Sequence, residues 1–114
     1  MGVTLLLAFS ESKARQKILS SIDLVPLTDN TITDPVLLDI AFEEIRTRDF
    51  SINREEDAVG LIAVAVPIRD QTKNVVAGLG MHAPTARVSI DRARGLLPKI
   101  RAAADEIASK MFEN

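Results

Sequence analysis

The sequence predicts an α+β fold, in which helices pack on an antiparallel sheet, and three features indicate it. Two short apolar runs, residues 59–68 and 74–82, flank the polar turn 70–73 and are typical of a β-hairpin. Helix-start signals lie before the hairpin, and a long segment with apolar residues at three- and four-residue steps follows it. Strands between helices, with no βαβ alternation, favour the α+β class.

The first two helices are predicted from capping signals. Ser10 is predicted to cap a short helix that ends near Leu19, with Ala14, Ile18 and Leu19 as its apolar stripe. The pair Asp34-Pro35 predicts a second start, since a carboxylate accepts backbone N–H bonds and proline has no N–H to leave unpaired. This helix is expected to end near Arg48 with one apolar face, formed by Leu37, Leu38, Ala41, Phe42 and Ile45.

Residues 50–53 form a short strand candidate between this helix and the hairpin. Ser89 is predicted to cap the last helix, and Pro98 to kink or divide it, because proline removes a helical hydrogen bond. The apolar positions of that helix are Ala93, Leu96, Leu97, Ile100, Ala103, Ala104, Ile107 and Met111.

The two faces of the hairpin differ in side-chain size. With Arg69 paired to Asn74, alternation places large residues on one face: Ile62, Val64, Val66, Ile68, Val75, Ala77, Leu79 and Met81. The other face then carries Leu61 opposite His82, Ala63 opposite Gly80, and Ala65 opposite Gly78. The large face is expected to pack on helices. Glycines on the small face indicate close approach either of a ligand or of another element of the protein.

Composition narrows the function classes. The 114 residues fit one domain, the net charge of −2 gives no general attraction to nucleic acid or anionic membranes, and there are no cysteines for disulfides or thiolate metal sites. No apolar run has the length of a membrane span, and the N-terminal apolar run lacks the features of a signal peptide. A soluble cytoplasmic protein is expected.

The chain contains little catalytic chemistry. His82 is the only histidine, and no nucleophile-elbow or metal-ligand histidine motif is present. His82 could be structural, could donate to a bound small molecule, or could be catalytic. The acidic run 55–57 lacks the alternating ligands and glycine of a calcium loop and is expected to be solvated. No enzyme activity, metal or cofactor is predicted.

Several segments resemble the effector-binding domain of IclR-type bacterial transcriptional regulators. The family pattern runs T-x-x-T-I-T-D, a helix ending I-R-x-x-G-Y, an acidic pair, then G-V-x-x-I-A-A-P-V and V-A-A-[IL]-S-V-S-x-P. The matching positions in this chain are Thr31 to Asp34, Ile45, Arg46, Glu55, Glu56, Gly60, Ala65, Pro67, Ala77, Leu79 and Pro84. The segment LLAF at 6–9 also resembles the family, so the likeness covers nearly the whole chain.

This resemblance implies a GAF-like antiparallel sheet with flanking helices, in which residues 1–114 form part of an effector-binding domain. The winged helix-turn-helix and the first strands of the sheet are expected to lie before Met1, so DNA would be bound only through that N-terminal domain. A small-molecule effector, such as a carboxylate or an aromatic, and assembly into a homo-oligomer (dimer or tetramer) are also implied. The pocket positions carried over are Asn53, Leu61, Ala63, Gly80 and His82.

The chain departs from the family pattern at some of these positions. Gly80 and His82 stand where relatives often have serine, which implies a roomier pocket with the imidazole as the remaining donor. Asp49 replaces the usual glycine after the helix. Two other functions remain open on the residues alone: an oligomerisation module whose small face is covered by another element, and a small enzyme that uses His82 with the pair 55–56.

Overall fold

The structure, a computed structural model, describes residues 2–21, 24, 26–56 and 58–112. It confirms the α+β class: three antiparallel strands in the order β1-β2-β3, with helices on both faces. The elements are α1 (Gly2–Ala8), α2 (Ser12–Ser21), α3 (Pro35–Arg48), β1 (Ser51–Arg54), β2 (Leu61–Arg69), β3 (Val75–Pro84), α4 (Ile90–Gly95) and α5 (Leu97–Met111). Asp57, part of the predicted acidic run, lies outside the described residues.

The capping signals before α3 and α4 are confirmed. The Asp34 carboxylate accepts the backbone N–H of Val36 at 2.9 Å, and proline occupies the first turn of α3. The Ser89 hydroxyl accepts the N–H of Arg92 at 3.2 Å at the start of α4. Pro98 divides the C-terminal helix as predicted, and the break falls at Leu96.

The prediction for the first helices was wrong in two respects. The apolar N-terminal run forms its own helix, α1, and the Ser10 hydroxyl donates to the carbonyl of Leu7 at 2.7 Å instead of capping α2. The predicted stripe on α2 also fails, because Ala14 is exposed and Ile18 is 44% exposed. The buried residue of this helix is Arg15, whose guanidinium donates to the Ser10 carbonyl at 3.2 Å and lies over the Phe42 ring.

The hairpin pairs in a different register from the one predicted. Ala63 is opposite His82 and Ala65 is opposite Gly80, a shift of two residues, and Leu61 is opposite Pro84. The cause is the turn: the N–H of Asp70 donates to the carbonyl of Asn74 at 2.9 Å, and a bulge follows between Ile68 and Arg69. Because side chains alternate with a period of two, a shift of two leaves the paired residues from Leu61 to Ile68 and from Ala77 to Pro84 on their predicted faces.

The large face of the hairpin packs on α4 and α5, as predicted. This core contains Ile62, Val64, Val66, Ile68, Ala83, Ala93, Leu97 and Ala104, with Ala77, Leu79, Met81, Ile100 and Ile107 packed against it. Val75, predicted to share this face, lies beyond the bulge and pairs with Arg69.

A second core lies on the other face of the sheet, under α1 and α3. Its buried members are Leu5, Ala8, Phe42, Ile45 and Ala65. The predicted apolar face of α3 is only partly used, because Leu37 is 55% exposed while Phe42 is 1% exposed. In the described part of the chain, no helix is long and apolar enough to cross a membrane.

Candidate functional site

The small-residue face of the sheet is the side on which α1 and α3 lie. Its members are Ser51 and Asn53 on β1, Leu61, Ala63, Ala65 and Pro67 on β2, and Gly78, Gly80 and His82 on β3. Residues opposite one another across an antiparallel pair share a face. Ala65 shows that this face is the one under α1 and α3, because it is buried with Leu5 and Phe42.

The structure brings the five predicted pocket residues together on this face. Asn53 is opposite Ala63, and Ala63 is opposite His82, so these three residues form one row across all three strands. Gly80 lies in the next row, opposite Ala65, and Leu61 lies in the row on the other side. Neighbouring rows on one face are two residues apart, or about 6.6 Å at about 3.3 Å per residue.

Exposure along the row is highest on β3, one of the two edge strands of the sheet. Ala63 is 2% exposed and Asn53 is 8% exposed, whereas Leu61 reaches 36% and both Gly80 and His82 are exposed. The row therefore has a buried amide and methyl on β1 and β2, which we call its inner end, and an accessible imidazole on β3, its outer end. Among the described residues, the His82 side chain has no hydrogen-bond partner.

One part of the small-residue face is filled by α1. A Cβ built on Gly78 would lie 2.7 Å from the Cδ2 of Leu5, and Leu5 is itself fully buried. At Gly78, then, the packing interpretation of the small face is the correct one. The ligand interpretation does not hold at Gly78, because a leucine side chain occupies the space beside it.

The part of the face around Gly80 is open. A Cβ built on Gly80 would meet the carbonyl of Val64 at 3.5 Å and the Cβ of Ala65 at 3.6 Å, both ordinary contacts within the sheet. We call the surface formed by Asn53, Leu61, Ala63, Gly80 and His82 the open half of the small-residue face. Cavities of about 310, 590 and 280 Å³ lie between α3 and β1, beside the hairpin turn and the end of α5, and between β3 and α5; of the residues of the open half, Gly80 alone lines one of these three, the last.

The turn that follows β1 fixes the inner end of the row. The Oδ1 of Asn53 accepts the backbone N–H of Glu56 at 2.9 Å, and the Glu55 carboxylate accepts the N–H of Gly60 at 2.7 Å. Glu55 has a left-handed backbone, with φ of 57°. The acidic pair is therefore half-buried and supports the turn, and the expectation that it is simply solvated is wrong for Glu55.

A threonine-rich loop before α3 holds the same turn from outside. The Thr28 hydroxyl donates to the carbonyl of Glu55, the Thr31 hydroxyl donates to that of Glu56, and the Asn30 amide donates to that of Arg54 at 2.9 Å. Reasoning from the sequence did not include this loop in the site. The sequence feature that could have indicated this loop is the T-x-x-T spacing of the family pattern, which places both hydroxyls on one side of a turn.

Ser51 was also missed. It is 2% exposed and lies opposite Ala65, one row from Asn53 on the small-residue face. Nothing in a four-residue strand candidate distinguishes a serine that faces the site from one that faces solvent. Among the described residues, no group of His, Cys, Asp and Glu side chains could hold a metal ion.

Comparisons with known proteins agree on one family. Residues 2–109 match the model for the bacterial transcriptional regulator IclR C-terminal family. The protein named "Probable transcriptional regulator SauR" from Cupriavidus necator is 36% identical over 109 residues, which cover 96% of this chain and 43% of that protein. KdgR from Escherichia coli is 30% identical over 93% of this chain and 40% of its own length. The chain thus spans about two fifths of the curated relatives it matches.

A solved structure supports the same assignment. The C-terminal domain of the E. coli transcriptional regulator KdgR superposes with a TM-score of 0.87 at 29% identity, covering 96% of this chain and 67% of that chain. With a family model that matches almost the entire sequence, the likeness extends beyond the fold. The chain belongs to the IclR family of bacterial transcriptional regulators and corresponds to their C-terminal, effector-binding domain.

Proposed function

We propose that this chain senses a small metabolite for a transcriptional regulator and that the metabolite lies on the open half of the small-residue face. The observation that carries the proposal is the row Asn53–Ala63–His82, which spans all three strands with Gly80 beside it. Directly opposite residues have Cβ atoms about 4.5–5.5 Å apart, so the three side chains lie within the span of one small molecule.

The chemistry of the row favours an organic acid. Leu61 and the backbone at Gly80 offer an apolar surface for a flat or aliphatic body, beside the buried methyl of Ala63. The exposed His82 imidazole is a hydrogen-bond donor at the outer end, and a charge-assisted bond to a carboxylate contributes about 1.5–3 kcal/mol where water is excluded. At the inner end, the Asn53 side chain is fixed by the hydrogen bond that its Oδ1 accepts from Glu56.

A structural neighbour supports this choice of ligand class. An inducer-binding domain of the PobR transcription factor from Acinetobacter, a double mutant solved with 3-hydroxybenzoic acid, superposes with a TM-score of 0.89 at 27% identity over 94% of this chain and 62% of that chain. An aromatic carboxylate is therefore the first probe to use.

The regulatory role rests on the relatives. Several are named as HTH-type transcriptional regulators, and this chain matches only about two fifths of each. We assign residues 1–114 to part of an effector-binding domain and assign DNA binding to a winged helix-turn-helix outside this segment. A homo-oligomer, a cytoplasmic location and the absence of enzyme activity complete the proposal, in accord with relatives that are transcriptional regulators.

Binding is tested by titrating the isotope-labelled chain with 3-hydroxybenzoate, benzoate and pyruvate while recording amide chemical shifts. We expect saturable shifts at residues 53, 61–63 and 80–82 with at least one acid, and an affinity at least tenfold lower in His82→Ala. Val76→Ala is the matched control, because Val76 is 43% exposed on the same strand. It lies farther from the open half than Gly78, the position against which Leu5 packs. Saturable shifts confined to the α5 side of the sheet, or equal affinity in His82→Ala, would refute this site.

An oligomerisation module is the second candidate function, favoured by the position of β3 in the sheet. β3 forms one edge of the sheet, and an uncovered strand edge can pair with another chain. Sedimentation velocity at increasing protein concentration separates the two candidates. Self-association that is abolished by Gly80→Val, together with no response to any of the acids, would favour the module.

A further inference from the structure

A cluster of charged side chains joins α3, β2 and α5 at the end of the sheet opposite the open half. The Asp49 carboxylate accepts two hydrogen bonds from Arg69, at 2.6 and 3.1 Å, and a third from Arg101 at 3.1 Å. Arg69 is the last residue of β2, six residues from Ala63, or roughly 20 Å along an extended strand.

The backbone around Asp49 is part of this arrangement. Asp49 has a left-handed conformation, with φ of 68°, and its N–H donates to the carbonyl of Ile45 at 2.8 Å to end α3. The Arg101 guanidinium also donates to the carbonyl of Arg48 at 3.3 Å. One side chain of α5 therefore holds both the carboxylate and a terminal carbonyl of α3.

Two aromatic rings extend the cluster. The Arg69 guanidinium lies over Phe9 at 5.3 Å from the ring centroid, and the Arg101 guanidinium lies over Phe50 at 5.9 Å. Phe9 directly follows α1, the helix whose Leu5 side chain fills the face at Gly78. Contacts thus run from the small-residue face through α1 to Arg69 and on to α5.

The cluster differs from the other ion pairs of the described chain. Its three side chains are each about one-third exposed, at 36, 31 and 37%, and they come from three separate elements. The pair Lys110–Glu106 lies within α5, with 75 and 71% exposure. Bidentate geometry and partial burial strengthen ion pairs that would contribute little at a fully exposed site.

We propose that Asp49, Arg69 and Arg101 form a clamp that couples the helices on the two faces of the sheet, so that a displacement of α1 reaches α5. The inference rests on the proposed function, because occupancy of the open half is what would displace α1 in the regulator. Coupling of this kind needs a direct measurement, since neighbouring positions alone do not establish it.

The measurement uses the chain without any ligand. Leu5→Val shortens the buried side chain of α1, and amide chemical shifts are compared with those of the unsubstituted chain. We expect shift changes at residues 97–105 of α5 when Asp49 is present, reduced to less than half in an Asp49→Asn background. Asparagine removes the charge but tolerates the same left-handed backbone. Glu106→Gln is the matched control, because it removes an equal charge from an ion pair within α5 and should leave the α5 response intact.

Three results would overturn the clamp: no response in α5 to Leu5→Val, the same response in Asp49→Asn, or an equal loss in Glu106→Gln. If Leu5→Val gives a poorly dispersed spectrum, Gly78→Ala displaces the same leucine from the other side, since the new Cβ would lie 2.7 Å from its Cδ2. Because no acid is added, the clamp can fail while 3-hydroxybenzoate still binds, and it can stand when none of the acids binds.

Discussion

Gly78 and Gly80 lie on the same strand and on the same face of the sheet, and both are exposed, yet an added side chain would meet different neighbours at the two positions. A buried leucine from α1 lies against Gly78, whereas Gly80 meets only ordinary contacts within the sheet. Alternation along a strand determines which face a residue occupies. What covers that face depends on a segment far away in sequence, here the first helix.

The two halves of the small-residue face therefore have different roles. The half at Gly78 is core, where Leu5 packs with Ala8, Phe42 and Ile45. The open half has accessible positions and an imidazole without a partner among the described residues. Substitutions in the first half should change the free energy of unfolding, whereas those in the second should mainly change ligand affinity.

The largest expected effect is that of Leu5→Ala. Leu5 is fully buried, so the lost contacts and the resulting cavity should lower the free energy of unfolding by about 2–5 kcal/mol. Leu61→Ala is the control in the open half, where the leucine is 36% exposed and the loss should stay below about 1 kcal/mol. Urea denaturation measures both values. Equal losses in the two variants would show that the halves are packed alike.

The paired variants Gly78→Val and Gly80→Val test the same difference by adding a side chain at each glycine. Valine at 78 would push into Leu5, and overpacking of this kind lowers stability by about 1–3 kcal/mol. Valine at 80 has no such neighbour, and replacing a strand glycine relieves a backbone entropy loss of roughly 0.5–1 kcal/mol. Thermal unfolding should therefore move in opposite directions. A drop in Tm for Gly80→Val would mean that the open half is covered.

A smaller effect is expected from Asn53→Ala. Its Oδ1 accepts the N–H of Glu56, and leaving that half-buried donor without an acceptor should lower the free energy of unfolding by about 1–2 kcal/mol. Asn53→Asp keeps an acceptor at the same place and should retain most of the stability. His82→Ala, at the exposed end of the row, should stay within about 0.5 kcal/mol. A large loss in His82→Ala would assign the imidazole a structural role.

Both the faces of the hairpin and the starts of two helices could be predicted from the sequence, because they depend on local rules. Residue alternation put the large and small side chains on the correct faces, and capping residues located the starts of α3 and α4. A register error of two residues changed the pairs but not the faces. That error came from the turn, where the Asp70 carboxylate accepts the N–H groups of Thr72 and Asn74, and from the bulge beside it, and each shifts the register by one residue.

The parts that could not be predicted depend on contacts between distant segments. An apolar run without a cap does not show whether it forms a helix or which surface it covers, so α1 and its leucine were missed. The stripe on α2 failed because Arg15 is the residue buried there, held by backbone carbonyls and the Phe42 ring. The pocket positions came from the resemblance to the family, and whether they bind a ligand stays a prediction.

The smallest effect, and the one that tests how the register is set, is the pH dependence of the hairpin turn. The Thr72 hydroxyl donates to the Asp70 carboxylate at 2.7 Å and, with the N–H groups of Asn74 and Thr72, holds the pKa of Asp70 below its usual 3.8 despite some opposing desolvation. A carboxyl whose pKa is lower in the folded state adds stability that is fully present above its unfolded value and is lost as the pH falls through the folded value.

The difference in Tm between the unsubstituted chain and Asp70→Ala should therefore be constant from pH 7 to about 5 and should shrink below pH 3.8. Asp70→Asn keeps the acceptor oxygen without the charge, so its Tm relative to Asp70→Ala should not vary with pH. Since this turn and the adjoining bulge together place Gly80 opposite Ala65, loss of the carboxylate should also broaden the amide signals of residues 78–82. A constant Tm difference down to pH 2 would show that the charge does not hold the turn.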